Sequence, residues 1–357
     1  MNKYKNGVFL LKVLLSGLIF FMITAAYGRT PAMAKQTKET NKRANESRIA
    51  EAAEKESWIK RFEIKTGTEE ARVGMVSSAG NIVPYGMFYG PSSFFAGADR
   101  MLYIIDCRNF RVAVFDIAKN FKFVRSMSYF TDDEHLSLMT DIFVSKEGAL
   151  YLADLKNRSA VKFSKEFSPE RVFGKPQKPD FSGLAQVDEI AADNDGNLYV
   201  RDHSGPYIHK FSPDGAFSGN LKSGAGLYFT SANLHPALEF HQDSSIWKIY
   251  LEDGNGRTVK FLHEIARESK EQNIQFVGVD SKDNIYVKSF KFDGIKIFAV
   301  SPEGKVTATY APYSDPGFDT TRCFFVDAAA CALYAVRYKD SVIEINELRP
   351  VSEINQK

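Results

Sequence analysis

The sequence predicts an all-β fold, a six-bladed β-propeller built from four-stranded antiparallel blades. Two recurring anchors and the turn residues around them lead to this prediction. An aromatic anchor recurs at Tyr103, Tyr151, Tyr199, Tyr250, Tyr286 and Tyr334. A second, mostly aromatic anchor follows each of these at Phe115, Phe163, Phe211, Phe261, Phe298 and Ile345. Repeats of roughly 40–50 residues with several short strands are typical of propellers.

The third repeat shows how one blade is predicted. Residues 189–192 form an apolar strand, and the turn 193–197 is rich in Asp, Asn and Gly, which tolerate positive φ. Further strands are predicted over 198–202 and 207–211, with a short outer strand over 216–221. Such a sheet buries both faces when it is repeated radially, because each copy packs against its neighbours.

The two ends of the chain are predicted to meet in the last blade. The sixth repeat provides strands over 324–326, 332–336 and 342–345, and the chain ends soon afterwards without an outer strand. The segment Trp58–Ile64 precedes the first repeat and has the length and apolar content to supply it. An N-terminal strand closing the last blade would make ring closure cooperative.

The N-terminal residues are typical of a targeting segment. Lysines precede the apolar run 13–23, and small residues follow it at 26–28 and 32–34, as a signal peptidase requires. Residues 1–34 are therefore predicted to be a signal peptide, with an inner-membrane anchor of one N-terminal helix as the alternative. Either predicts an extracytoplasmic protein, periplasmic or secreted, that meets the membrane only through an uncleaved N-terminal segment. Residues 35–57 are predicted to be a charged linker, 58–348 the propeller and 349–357 a C-terminal tail.

The composition narrows the class of partner. The formal net charge is +2 over 357 residues, so no nucleic-acid partner is expected. The 3 cysteines, Cys107, Cys323 and Cys331, permit one disulfide and one free thiol, and their spacing fits no zinc pattern. Small buried hydrophobic side chains are the favoured interpretation for at least two of them.

Two phrases of the sequence resemble the NHL repeat. Residues 148–158 and 195–202 both contain a turn Gly, an apolar residue, Tyr and a strand ending in Asp, and 90–94 resembles the opening of such a repeat. The resemblance covers about 58–348 and is closest to the extracytoplasmic bacterial type. It implies a propeller fold and a repeat number. It does not imply an activity, because similar propellers include RNA readers, an amidating lyase and neighbouring lactonase-like folds.

The Asp that closes the second strand is predicted to be structural. It recurs as Asp106, Asp154, Asp202 and Asp253. A carboxylate at a strand end can accept several N–H groups of loop backbone, and similar families use it in this way.

A candidate metal site comes from the predicted starts of the innermost strands, which face the central channel. These positions are Ser93, Asp141, Glu189, Glu239, Phe276 and Cys323. Asp141, Glu189 and Glu239 belong to consecutive repeats, and converging carboxylates suit Ca²⁺ or another divalent cation. The alternative function is therefore a metal-dependent lactonase- or lyase-like enzyme. The competing interpretation is a solvated polar channel mouth.

The favoured function is a non-catalytic binding scaffold without a cofactor. Basic residues follow the second strands of several repeats and are predicted to share one face. They are Arg108, Arg111, Lys156, Arg158, Lys288, Lys291, Arg337 and Lys339. A protein or an anionic envelope polymer is the expected partner, and ordinary solvated loops are the alternative. An insertion over 226–231 lies where propellers often carry function.

Overall fold

The computed structural model describes residues 58–75, 90–129, 138–176, 181–205, 207–222, 224, 226–291, 294–311, 322–339 and 342–351. Within these ranges the chain forms antiparallel sheets and no long helix. Six sheets are present, five of four strands and one of three. Innermost strands of neighbouring sheets contact one another. The predicted six-bladed β-propeller is confirmed. The predicted segments 1–34 and 35–57 lie outside the described residues, as does most of the C-terminal tail.

The first three blades follow one after another along the chain. Strand β1 covers Trp58–Lys65 and belongs to the last blade. Blade 1 contains β2 (Phe94–Ala96), β3 (Met101–Asp106), β4 (Arg111–Asp116), the 3-10 turn Ile117–Lys119 and β5 (Lys122–Ser128). Blade 2 contains β6 (Met139–Val144), β7 (Leu150–Asp154), β8 (Ser159–Phe163) and β9 (Pro169–Phe173). Blade 3 contains β10 (Val187–Ala192), β11 (Leu198–Asp202), β12 (Tyr207–Phe211) and β13 (Phe217–Lys222).

The remaining three blades include the irregular one and the one that closes the ring. Blade 4 contains β14 (His235–His241), β15 (Ile246–Glu252) and β16 (Thr258–Ala266). Blade 5 contains β17 (Asn273–Val279), β18 (Ile285–Lys291), β19 (Gly294–Val300) and β20 (Val306–Tyr310). Blade 6 contains β21 (Phe324–Asp327), β22 (Ala332–Lys339) and β23 (Val342–Leu348), with β1 as its outer strand.

Ring closure by the N-terminal strand is confirmed. The strand order in blade 6 is β1-β23-β22-β21, and β1 runs antiparallel to β23. Ile64 of β1 lies opposite Ile343, and both side chains are buried in one cluster that also contains Phe94 of blade 1. The first described strand of the propeller therefore joins its last blade to its first.

The aromatic anchors stabilise the blades in two ways. Tyr103, for example, packs between blades 1 and 2 against residues such as Ile142. The hydroxyl group also donates to a turn carboxylate, from Tyr103 to Asp99 at 2.8 Å, from Tyr199 to Asp193 at 3.0 Å and from Tyr286 to Asp280 at 3.2 Å. A buried hydroxyl group needs such a partner, so the Tyr and the Asp-Gly-Asn or Asp-Asn turn belong together.

Blade 4 departs from the predicted register because the insertion takes the innermost position. Gly226 N–H donates to Pro236 C=O at 2.6 Å, and Leu238 N–H donates to Gly224 C=O at 2.9 Å, so Gly224 and residues 226–230 run beside β14. The turn after them repeats the others, with Thr230 Oγ1 accepting from Leu234 N–H at 3.1 Å. Strand β14 is therefore the second element of its blade.

This shift corrects two predicted anchors. Tyr250 and Phe261 were expected in the core as second- and third-strand residues, but each lies one strand further out. Phe261 is 49% exposed and Tyr250 is half-buried. Pro236 occupies the place of the anchor Tyr, and a proline cannot be recognised there from an aromatic pattern.

A buried histidine at the start of β14 makes the stability of the protein depend on pH. His235 is fully buried, and its Nε2–H donates to Asp253 C=O at 3.0 Å. Burial lowers its pKa below the ordinary histidine value. The unfolded chain then takes up the proton first as the pH falls. The stability contributed by neutral His235 is present above its unfolded pKa and is lost as the pH falls through the lower, folded pKa.

We therefore expect His235→Gln to flatten the pH dependence of stability. The variant should be less stable than the parent at pH 7.5, because the hydrogen bond to Asp253 is weakened in a buried site. Between pH 7 and pH 5 it should lose less stability than the parent, because no buried imidazole resists protonation. Urea unfolding at several pH values measures both effects, and parallel pH curves for the two proteins would contradict the assignment.

Candidate functional site

The propeller has an upper and a lower face, each with a cavity at the channel. The upper face carries the loops between second and third strands, such as 107–110 and 155–158, and the lower face carries turns such as 193–197 and 280–284. The upper cavity has a volume of about 470 Å³. It is lined by residues including Asp188, Glu189, Arg201, His203, Leu238, Trp247, Phe276, Lys288, Arg322 and Phe324. The lower cavity is smaller, about 160 Å³.

Arg322 and Tyr228 separate the two cavities and line both of them. The guanidinium carbon of Arg322 lies 5.4 Å from the ring centroid of Phe95 and 5.4 Å from that of Tyr228. Cation–π contacts of this kind are strongest when the cation is desolvated, and the Arg322 side chain is only 4% exposed. The insertion therefore places Tyr228 in the channel, against a buried cation from blade 6.

Asp141 is the counter-ion of Arg322. Its Oδ2 accepts from Arg322 Nη2 at 2.7 Å and from Ile190 N–H at 2.9 Å, while Oδ1 accepts from Ser93 Oγ at 2.7 Å. Arg322 Nη2 also donates to Ile190 C=O at 2.8 Å. One carboxylate and one guanidinium thus join blades 1, 2, 3 and 6 across the channel.

Both members of this pair have a raised pKa, for different reasons. Burial raises the pKa of Asp141 to about 6, against the lowering effect of Arg322. Burial acts to lower the pKa of Arg322, but the Asp141 carboxylate outweighs it and holds that pKa above the ordinary value. Arg322 is therefore a permanent charge in the channel.

The three predicted metal ligands each contact a different basic side chain. Asp141 is fully buried and bound to Arg322, whereas Glu189 accepts from Arg201 Nε at 2.9 Å. Glu239 lies at the end of β14 with its side chain 62% exposed, 3.4 Å from His241. Because of the shift in blade 4, Glu239 takes the position of the strand-end Asp and does not begin an innermost strand. Among the described residues no group of three or more His, Cys, Asp or Glu side chains is arranged to hold a metal ion.

A second acid–base pair lies at the rim of the upper cavity. Asp188 Oδ2 is 3.2 Å from His203 Nδ1, and their side chains are 36% and 57% exposed. Burial raises the pKa of Asp188, and the neighbouring Glu189 adds to this effect. Both carboxyl groups on the blade 3 wall of the cavity therefore have a basic side chain as a neighbour.

The predicted basic residues do not form one continuous surface. Arg108, Lys156 and Arg158 are exposed on upper-face loops of blades 1 and 2. Arg111 is buried against Asp106 at 3.0 Å. The others are placed as follows: Lys288 lines the upper cavity, Lys291 pairs with Glu268, Arg337 is half-buried, and the side chain of Lys339 lies outside the described residues.

The structural role predicted for the strand-end Asp is confirmed in the first three blades. Asp202 accepts from Ala185 N–H at 2.7 Å and from Gln186 N–H at 3.0 Å. Asp154 accepts from Asn157 N–H at 3.1 Å, and Asp106 from Gly74 N–H at 2.9 Å. Asp253 also accepts loop N–H groups after a strand, but it does so one strand further out, because of the shift in blade 4. It caps the turn between β15 and β16, accepting from Arg257 N–H at 3.0 Å.

The sequence interpretation missed Arg322 and Trp247. Arg322 directly precedes Cys323, which was identified as the channel-facing start of an innermost strand, so a basic residue beside that position was the available signal. Trp247 lay in a repeat whose register was displaced by the insertion. The three cysteines are all free.

Comparison with known proteins supports the fold alone. No family model matches this chain. No curated relative matches it either. Among solved structures it is similar to a member of the DUF4221 family from Bacteroides vulgatus, with 8% identity and a TM-score of 0.52, over 82% of this chain and 97% of that one.

Two further structures show weaker similarity. A virginiamycin B lyase from Staphylococcus aureus has 12% identity and a TM-score of 0.47, over 83% of this chain and 91% of that one. A gluconolactonase from Xanthomonas campestris has 13% identity and a TM-score of 0.44, over 72% and 86%. In the part of the chain that the structure describes, no helix has the length and apolar character needed to cross a membrane.

Proposed function

We propose that this chain is an exported, non-catalytic binding module that presents its upper face to a protein or an anionic envelope polymer. The observation that carries the proposal is the placement of exposed Arg108, Lys156 and Arg158 on adjacent blades, on the face that holds the larger cavity. Loops held by a rigid scaffold are the usual carriers of binding. Cationic loops attract anionic groups such as phosphate or carboxylate.

The charge pairs in the channel support binding over a metal-dependent reaction. Asp141 accepts hydrogen bonds from Ser93, Ile190 and Arg322, so few of its lone pairs face a cation. A cation beside Arg322 would also meet like charge. A lactonase- or lyase-like activity stays the alternative, and a melting curve with added Ca²⁺ or chelator tests it. A shift of several degrees with metal would favour that alternative.

Binding to a phosphate- or carboxylate-bearing envelope glycan should weaken when the upper-face cations are removed. We expect the triple variant Arg108→Gln, Lys156→Gln and Arg158→Asn to lose about tenfold in affinity at low salt. Asn is chosen at 158 because Arg158 has φ 51°, a left-handed conformation that Asn tolerates. The loss should shrink as salt is added, because exposed charges are screened. Affinity is measured by biolayer interferometry at several salt concentrations.

A lower-face variant provides the matched control. Lys146, Lys165 and Lys282 are exposed on turns of the opposite face, and changing all three to Gln alters the net charge by the same amount. This control should bind like the parent. Equal losses in both triple variants would mean that only net charge matters and would refute a defined binding face. Binding of an acidic protein with no binding of glycan would assign the same face to a protein partner.

A further inference from the structure

Two side chains that line the upper cavity carry buried N–H groups that have no acceptor. Arg322 Nε and Nη1 and Trp247 Nε1 are buried without a hydrogen-bond partner, and both side chains line this cavity. Within the described residues these are the only unpartnered buried side-chain atoms that belong to its lining, and all are donors. A buried donor without an acceptor destabilises the fold, so such groups indicate a site for an acceptor.

Lys288 adds a positive charge to the same space. It lies on β18 and is 8% exposed, with Nζ 4.6 Å from the ring centroid of Phe290 and 5.5 Å from that of Phe324. Among the described residues no carboxylate lies within ion-pair distance of Lys288. The aromatic faces replace only part of its lost hydration. In contrast, Arg322 and Arg201 on the same lining each have a carboxylate partner.

These observations lead to a ligand class. We propose that the upper cavity binds a small organic carboxylate, whose oxygens accept from Arg322 and Trp247 and face the Lys288 ammonium. An ionised carboxylate is acceptor-only and so matches a set of unpartnered donors. The lining also contains Leu238 and Phe276, which can pack against an apolar body, and about 470 Å³ is within the usual range of ligand pockets.

The acidic side chains of the lining limit how the ligand lies. Asp188 and Glu189 both belong to the blade 3 wall, where they face His203 and Arg201. The carboxylate group is therefore placed toward the blade 5 and blade 6 wall, which carries Lys288 and the Arg322 guanidinium. This site is separate from the exposed loops of blades 1 and 2, so it does not depend on the partner proposed for them.

Calorimetric titration of the purified protein tests the proposal with benzoate as the probe. Benzamide and benzylamine share its ring and replace the carboxylate with a neutral or a cationic group, and phenyl phosphate tests a second anion. We expect saturable benzoate binding, at least tenfold weaker binding of benzamide and no binding of benzylamine. Phenyl phosphate binding tighter than benzoate would reassign the site to phosphate esters and overturn the carboxylate class. Equal affinities for benzoate and benzamide would overturn the anion site altogether.

Variants outside the Asp141 ion pair keep the test independent of folding. Lys288→Met retains the apolar stem, and Trp247→Phe removes one N–H donor while keeping an aromatic ring. Each should weaken benzoate binding about tenfold, and Lys288→Met should leave the weak binding of neutral benzamide unchanged. Lys282→Met on the lower face is the control and should bind like the parent. Unchanged benzoate affinity in both cavity variants, with melting temperatures like the parent, would refute the assignment.

Discussion

Deleting residues 58–64 from the full chain is expected to abolish the cooperative unfolding transition. Strand β1 is the outer strand of blade 6, and its pairing with β23 extends from Trp58 to Lys65. The deletion removes Ile64 from the cluster between blades 6 and 1 and exposes Ile343 and Ile345 behind it. Each such side chain contributes about 1.5–3 kcal/mol when buried, while a whole domain has a stability of only about 5–15 kcal/mol.

Differential scanning calorimetry and circular dichroism detect this loss directly. A synthetic peptide of residues 58–65 added in trans should restore part of the transition, because it can pair with β23 and cover Ile343 and Ile345 again. The substitution Val124→Thr, on the outer strand of blade 1 with its side chain 48% exposed, is a control that should change stability by about 0.5 kcal/mol or less. An unchanged melting transition in the deletion variant would show that β1 does not close the ring.

Asp141→Ala is expected to destabilise the protein by about 3–5 kcal/mol. The substitution leaves the Arg322 guanidinium buried without its carboxylate, and removing one partner of a buried ion pair is far more harmful than removing both. Arg322→Met should be tolerated better. The remaining Asp141 can become protonated, since burial already raises its pKa to about 6, and its contacts with Ser93 and Ile190 remain.

The double variant Asp141→Ala with Arg322→Met should regain much of the stability lost in Asp141→Ala. Chemical denaturation of the parent, both single variants and the double variant forms a double-mutant cycle that isolates the pair interaction. The matched pair Glu189→Ala and Arg201→Met at the cavity rim should show a coupling of only about 1 kcal/mol or less, because those side chains are 24% and 20% exposed. Losses below 1 kcal/mol for both single variants at Asp141 and Arg322 would contradict the central role of this pair.

The regular blades could be predicted because their local chemistry repeats. The turn Asp accepts backbone N–H groups and the anchor Tyr hydroxyl within seven residues of sequence, as Asp193 does with Asn197 and Tyr199. Because these hydrogen bonds join residues close in sequence, they produce a pattern that can be recognised in the sequence. Blade 4 has the same backbone geometry with Thr230 and Pro236, where the regular repeats have Asp and Tyr.

The location of the candidate site could be predicted from the sequence, but the contacts between its side chains could not. Periodicity indicates which residues begin an innermost strand, and Asp141 does lie in the first half of β6. Periodicity does not indicate which distant side chain lies opposite, and Arg322 is 181 positions away from Asp141. The distinction between a metal ligand and an ion-pair partner depends on that contact.

A layer of side chains crosses the propeller axis between the two cavities. Tyr228, Val277, Arg322 and Phe324 belong to the walls of both cavities, and the ion pair with Asp141 holds this barrier in place. A solute that moves along the axis from one cavity to the other must therefore pass the side chains of Tyr228 and Arg322.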